Sequence, residues 1–180
     1  MKTSDLALMV KAIRFAAEKH RHQRRKDVEA SPYINHPIAV AAVLSNEAGI
    51  EDVSVLCACI LHDTIEDTDT TEAELLREFG PEITSLVAEC TDDRTLPRAE
   101  RKALQITHAE QLSSGARLVK LADKISNLRD ILATPPKDWP PSAKEEYFDW
   151  ASSVVERIRG SHAGLEATFD CLIARRSEFA

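Results

Sequence analysis

VSVLCACILHDTIED, residues 53–67, decides the fold. Its first nine residues are apolar on nearly every side of a helix, which suits only an element surrounded by others, and Asp52 stands where an N-cap belongs. The remainder turns abruptly polar, with His62, Asp63, Glu66 and Asp67 in six positions. A central helix that ends in chemistry-bearing side chains is therefore the organising feature, and the spacing predicts that it carries His62 and Asp63.

Working outward, the neighbouring segments repeat the helical period. Leu6, Met9, Val10, Ile13, Ala16, Ala17 and His20 recur at helical spacing behind Ser4 or Asp5 as cap, and a basic tail follows. Pro37 suits the first turn of a second helix that ends at Gly49, with His36 at its entrance. Thr71 and Glu74 read as a capping box before a helix that stops at Gly80, and Pro81 opens the next, with Ile83, Leu86, Val87 and Cys90 on one face. Pro97 starts another. From Ser114 a long helix places Leu118, Leu121, Ala122, Ile125, Leu128 and Leu132 on one stripe, and Asp123, Asn127 and Asp130 on the stripe beside it. A rigid connector, TPPKDWPP, leads to a helix with Tyr147, Trp150, Val154 and Ile158, and Gly160 separates that from a last one with Leu165, Phe169, Leu172 and Ile173. No strand pattern or repeat occurs, so the expectation is a compact all-α fold of eight or nine helices, one domain over residues 1–180.

Bulk properties narrow the function classes. In the 180 residues the net charge is −7, which disfavours a general nucleic-acid binder because such proteins displace counterions with surplus Lys and Arg. An anionic ligand would need a local basic patch, and Lys19, Arg21, Arg24, Arg25 and Lys26 supply one, although a cationic helix end is the ordinary explanation of such a run. The N-terminal MKTSDLALMVKAIRF lacks the unbroken apolar stretch of a signal peptide, and no run reaches a membrane span of about 20 apolar residues, so a cytoplasmic protein without membrane contact is expected. Cys57, Cys59, Cys90 and Cys171 form no Cys-x-x-Cys pair and read as reduced core residues. Oligomerisation is left open.

Asp63, Glu66 and Asp67 at i, i+3 and i+4 would crowd three carboxylates on one helix face, each like-charge pair costing a few tenths of a kcal/mol. Emergence of the helix into solvent explains such a cluster as readily as a metal does. A lone His36 is more often a cap, and a lone Asp123 a surface charge. Taken together, His36, His62, Asp63 and Asp123 make two imidazoles and two carboxylates, a mixed donor set suited to Mn²⁺, Fe²⁺ or Zn²⁺ rather than Ca²⁺.

The order H…HD…D in a helical chain resembles the HD phosphohydrolase superfamily. The strings HRHQRRKD, PYINHP, LHDTIEDT, TDD, ERK, KLADKISNLRD and EYFDW are similar, more specifically, to the hydrolase domain of RelA/SpoT proteins and its small free-standing metazoan alarmone hydrolases. That resemblance implies Mn²⁺ on His36, His62, Asp63 and Asp123. It implies that Glu66 and Asp67 handle the attacking water, that Arg25 and Lys26 meet the nucleotide, that Asn127 lies near ribose and phosphates, and that Tyr147 lines the pocket. The implied reaction removes pyrophosphate from the ribose 3′ position of ppGpp or pppGpp, with a small-molecule nucleotide as the partner. It also implies no synthetase domain. Asp130 departs from the hydroxyl residue of the long bifunctional enzymes, which puts the recognition of base and ribose in question. Two competing readings remain: an HD enzyme acting on another 2′- or 3′-phosphorylated nucleotide such as NADPH, and a non-enzymatic helical signalling module.

Overall fold

A computed structural model describes residues 4–136 and 138–176. The central apolar run forms α3 (Val53–Leu61), capped by Asp52, whose carboxylate accepts from the Ser54 and Val55 amides. Around it pack α1 (Asp5–Lys19), α2 (Asn35–Ala42), α5 (Glu72–Cys90) and α7 (Ser114–Ala133). The enclosure explains its all-round hydrophobicity: Cys57, Ala58, Cys59 and Leu61 have no exposed surface. A one-turn α4 (Thr64–Asp67) follows directly, α6 (Arg98–His108) and α8 (Pro141–Glu156) flank the opening, and α9 (Ala163–Ala174) covers the far side of α7. One hydrophobic core runs through the described residues from Ala12 to Leu172.

The local signals explain most boundaries. Ser4, Asp52, Thr71 and Ser113 each accept a backbone amide from the first turn of the helix they precede. Gly80 adopts φ 81° and ψ 174°, a conformation that side chains other than glycine resist, so α5 bends there and Pro81 begins its second half. Gly115 serves a different need: a Cβ there would lie 2.8 Å from Leu86 Cδ2 and 3.2 Å from Val55 Cγ2, so its absence lets α7 approach α5 and α3 closely. One turn of π-helix, Val43–Glu47, extends α2 towards Gly49.

Three expectations need correction. Cys171 is exposed, unlike Cys57, Cys59 and Cys90, because α9 turns Leu165, Phe169 and Leu172 inward and leaves Cys171 on the opposite arc. The capping box is only half formed: Thr71 accepts from the Glu74 amide, but the Glu74 carboxylate is drawn 3.0 Å from Lys19 Nζ instead. The central helix stops at Leu61, with His62 as its C-cap and Asp63 at the junction, so these two are held at a helix end rather than within the helix. In the connector before α8, Lys137 lies outside the described residues, as do residues 1–3 and 177–180 at the ends of the expected single domain. No described helix is long and apolar enough to cross a membrane.

Leu121 has no exposed surface and faces the helices around α7. Leu121→Ala should lower stability by about 2–5 kcal/mol, whereas Leu76→Ala, at a residue 51% exposed, should change it by about 0.5 kcal/mol or less. Denaturant titration measures both.

Candidate metal centre and the cavity above it

Three elements bring the HD pair to its partners. The end of α3 presents His62 and Asp63, the first turn of α2 presents His36, and the middle of α7 presents Asp123. One ligand atom from each of His36, His62 and Asp123 falls within 4.8 Å of the others. His36 Nε2 is 3.2 Å from Asp123 Oδ1 and 3.8 Å from Asp63 Oδ2, and His62 Nε2 is 3.2 Å from Asp63 Oδ2 and 3.8 Å from Asp123 Oδ1. All four residues expected to hold the ion are therefore adjacent.

The donor chemistry fits a cation. His62 Nδ1 lies 2.7 Å from the Cys59 carbonyl, which can only accept, so Nδ1 carries a proton and Nε2, facing the carboxylates, is the nitrogen that takes up a cation or a second proton. Among the described residues that buried Nε2 finds no hydrogen-bond partner, despite its distance from Asp63. Burial opposes a charged imidazole, yet the Asp63 and Asp123 carboxylates outweigh it and hold the His62 pKa well above its ordinary value. A positive charge belongs at that nitrogen, and a divalent ion supplies it with the second-sphere carbonyl already in place. His36 is held differently, its ring meeting Tyr33 edge-on at 5.9 Å and His62 at 5.3 Å between centroids.

Neighbours orient the two carboxylates. Tyr33 Oη donates to Asp63 Oδ2 at 2.5 Å, and burial together with that carboxylate pushes the Tyr33 hydroxyl far above its usual range. Asp123 accepts from Asn127 Nδ2 at 2.6 Å and from Lys124 Nζ at 2.9 Å. Against burial, the Lys124 ammonium and the two imidazoles keep Asp123 well below the ordinary carboxylate range. Lys124, 3% exposed, also lies 4.3 Å above the Trp150 ring.

Asp63, Glu66 and Asp67 stay on one helical turn, with the Asp67 amide donating to the Asp63 carbonyl at 2.8 Å. The side chains of Glu66 and Asp67 nevertheless diverge to separate partners. Glu66 turns towards α6, where Arg101 Nη1 donates to Oε1 at 3.0 Å and the Asp92 amide donates to Oε2 at 3.3 Å. Asp67 turns the other way, to Gln23 Nε2 at 2.8 Å and Arg94 Nη1 at 3.1 Å. Their counter-charges are arginines rather than the ion. Burial, followed by the Asp92 and Asp63 charges, raises the Glu66 pKa to about 7.

A cavity of about 780 Å³ opens over this centre, lined on its floor by His36, His62, Asp63, Glu66, Asp67 and Asp123. Arg24, Arg25, Lys26, Asn127, Asp130 and Tyr147 line it as well, so every residue expected at a ligand reaches it. The basic stretch divides, however: Lys19 pairs with Asp69 and Glu74, and Arg21 with Glu18, leaving the later residues at the cavity. Asn127 bridges Asp123 and Arg25, donating from Nδ2 to the first and accepting at Oδ1 from the second. Arg25 donates to Asp130, so the residue that departs from the family pattern is the partner of a cavity-lining arginine. The sequence reading missed Tyr33, Arg94, Arg101, Lys124 and the two tryptophans, Trp139 and Trp150, that flank the expected Tyr147 in an aromatic wall with centroids 6.0 and 5.3 Å apart. Tyr33 stands three residues before His36 in PYINHP, and Lys124 directly follows Asp123 in KLADKISNLRD, so both had a local signal.

An all-helical chain with this cluster at a helix junction is an HD-domain protein: the HD domain family profile matches residues 12–151, and the chain belongs to that family. Its relatives are specific. Guanosine-3′,5′-bis(diphosphate) 3′-pyrophosphohydrolase MESH1 of Xenopus tropicalis is 53% identical, over 93% of this chain and 94% of its own. The human protein of the same name is 51% identical over 96% and 97%. Among solved structures, a metazoan orthologue of SpoT described as hydrolysing ppGpp and acting in starvation responses superposes with a TM-score of 0.93, at 44% identity, covering 98% of each chain.

If the four residues hold one ion, Asp63→Ala and Asp123→Ala should each lose bound metal while retaining helix content. Metal analysis beside circular dichroism measures this; full occupancy in both variants defeats the assignment.

Proposed function

We propose that the chain is a Mn²⁺-dependent hydrolase of ppGpp and pppGpp, one domain over residues 1–180, releasing intact pyrophosphate from the ribose 3′ oxygen and leaving GDP or GTP. The observation that supports it most directly is the pairing of a cation-demanding His36–His62–Asp63–Asp123 cluster with two separately held carboxylates, Glu66 and Asp67, on one cavity floor. Likeness over nearly the whole chain to pyrophosphohydrolases of guanosine-3′,5′-bis(diphosphate) supports ppGpp as the substrate. A scaffold without activity would have no use for the second pair of carboxylates.

His36, His62, Asp63 and Asp123 would hold the divalent ion, which when bound increases the acidity of water and withdraws charge from phosphoryl oxygens. Glu66 and Asp67 supply the acceptor for the proton of the attacking water. Each of their oxygens keeps a second lone pair beside the hydrogen bond it already accepts. Glu66 suits the role of base, since a carboxylate near pH 7 combines an ionised population with enough basicity to take the proton. Water oxygen bonds to the phosphorus next to the ribose as the bond from that phosphorus to the 3′ oxygen breaks. The 3′ oxygen leaves with the nucleoside and gains a proton. Arg25 and Lys26 offset charge on the nucleotide phosphates, with Asn127 directed at ribose and phosphates and Tyr147 at the pocket wall. Arg25 exchanges its carboxylate partner Asp130 for the ligand.

The base assignment carries a pH signature. Ionised Glu66 is the active form, so kcat/KM should rise as pH passes upward through its pKa; the adjacent cation favours the carboxylate and places that limb at or below the value of about 7 set by the protein alone. Glu66→Gln should lose the limb and about 10²- to 10⁴-fold of the rate with its metal content unchanged. Wild-type turnover in that variant excludes Glu66 as the base.

Bond cleavage is tested in ¹⁸O-water with ppGpp, pppGpp and NADPH offered separately. Label should enter pyrophosphate and be absent from GDP. Orthophosphate as the first product, label in GDP, or undiminished turnover after metal removal would each defeat the reading, and preferential turnover of NADPH would change the substrate. Arg25→Ala with Lys26→Ala should raise KM for ppGpp and reduce its dependence on salt.

A further inference from the structure

Beside Asp67, the loop after α1 contains a hydrogen-bonded chain with no role in the mechanism so far, and of its members Gln23 also lines the cavity. His20 is buried, 2% exposed, directly after α1. Its Nδ1 is 2.6 Å from Gln23 Oε1, and Gln23 Nε2 donates to Asp67 Oδ2 at 2.8 Å. The Gln23 main chain is pinned at both ends: its N–H donates to the His20 carbonyl at 2.9 Å and its carbonyl accepts from the Tyr33 amide at 3.2 Å.

An amide can face a carboxylate productively in one orientation only. The ionised Asp67 accepts and cannot donate, so the NH₂ end of Gln23 must meet it and the oxygen must point back at His20. That oxygen in turn requires a proton on His20 Nδ1. The ring is then the Nδ1–H tautomer, consistent with a buried Nε2 that has no hydrogen-bond partner among the described residues, since an unprotonated nitrogen leaves no donor stranded. The imidazole is further held against the Tyr33 ring, 4.8 Å between centroids and tilted 32°, and Tyr33 is the residue that orients Asp63. Both carboxylates on this side of the floor are thus aimed from one loop.

We propose that Gln23 is a positioning residue for Asp67, and that His20 acts behind it by locking the amide with its NH₂ towards the carboxylate. This rests on the role given above to Asp67 in handling the attacking water. Arg94 holds the other Asp67 oxygen, but from a side chain 58% exposed, whereas the Gln23 contact is backed by buried imidazole and fixed main chain. The buried contact sets the direction of the remaining lone pairs.

The test uses the Mn²⁺-loaded protein with ppGpp. Gln23→Leu should lower kcat about 10- to 100-fold, the range for lost outer partners of a site, with KM, metal content and the unfolding midpoint little changed. His20→Ala should lower kcat similarly. His20→Asn should restore most of it, because the asparagine NH₂ occupies the place of Nδ1–H. Since the two residues act as one chain, the double variant His20→Ala with Gln23→Leu should be no slower than Gln23→Leu alone. Nitrogen-15 spectra of the metal-free protein should show His20 as the Nδ1–H tautomer. An Nε2–H tautomer, unchanged kcat in Gln23→Leu, or effects of the two single variants that multiply would overturn the proposal. Asp67→Asn separates the two claims: its full activity would remove the role of Asp67 and the relay's purpose with it, whereas an impaired Asp67→Asn beside an unimpaired Gln23→Leu would remove the relay alone.

Discussion

Two carboxylates and two imidazoles meet at the junction of α2, α3 and α7, and among the described residues the one ammonium or guanidinium paired with them is that of Lys124, on Asp123. Asp63 and Asp123 sit 3.2–3.8 Å from ring nitrogens of His36 and His62. Carboxylates withdrawn from water impose a large desolvation cost unless charge and hydrogen bonds compensate it. Partial compensation comes from Tyr33, Asn127 and Lys124 around the rim. The remaining demand is for a cation in the middle, and this demand explains why three separate helices converge with their polar side chains inward at an otherwise apolar core.

How the carboxylates after the cluster are held matters as much as the cluster. Asp63, Glu66 and Asp67 share one helical turn, and the Asp63 charge contributes to the raised Glu66 pKa. Their side chains diverge: Asp63 faces the imidazoles, Glu66 faces α6, and Asp67 faces the loop after α1. Each carboxylate acquires its own partners: Arg101 and the Asp92 amide for Glu66, Gln23 and Arg94 for Asp67. α6 has no buried residue of its own, yet it is joined to α8 through Trp150, whose indole donates to the Lys102 carbonyl at 3.0 Å. The helix that holds Glu66 is therefore tied to the aromatic wall, so Glu66 and the pocket share a support.

Much of this was legible before the tertiary structure, and for a local reason. Helix caps and stops act over three or four residues, so Ser4, Asp52, Thr71 and Gly160 announced boundaries that the structure reproduces. The all-round apolarity of residues 53–61 required a central helix because no surface position tolerates it. Cys171 misled because it lies within an apolar stretch, where one residue of rotation separates a core position from an exposed one. Glu74 misled because a lysine 55 positions away competed successfully for its carboxylate.

By itself the sequence determined which segments become helices and that His36, His62, Asp63 and Asp123 form a metal-competent set, since period, capping and donor type are properties of short stretches and of side-chain chemistry. Only the tertiary structure decided how each carboxylate is held. Tyr33 reaches Asp63 across 30 positions, Arg101 reaches Glu66 across 35, and Gln23 reaches Asp67 across 44. Hydrogen bonds over such separations depend on how helices pack, and their direction is fixed only when both backbones are in place.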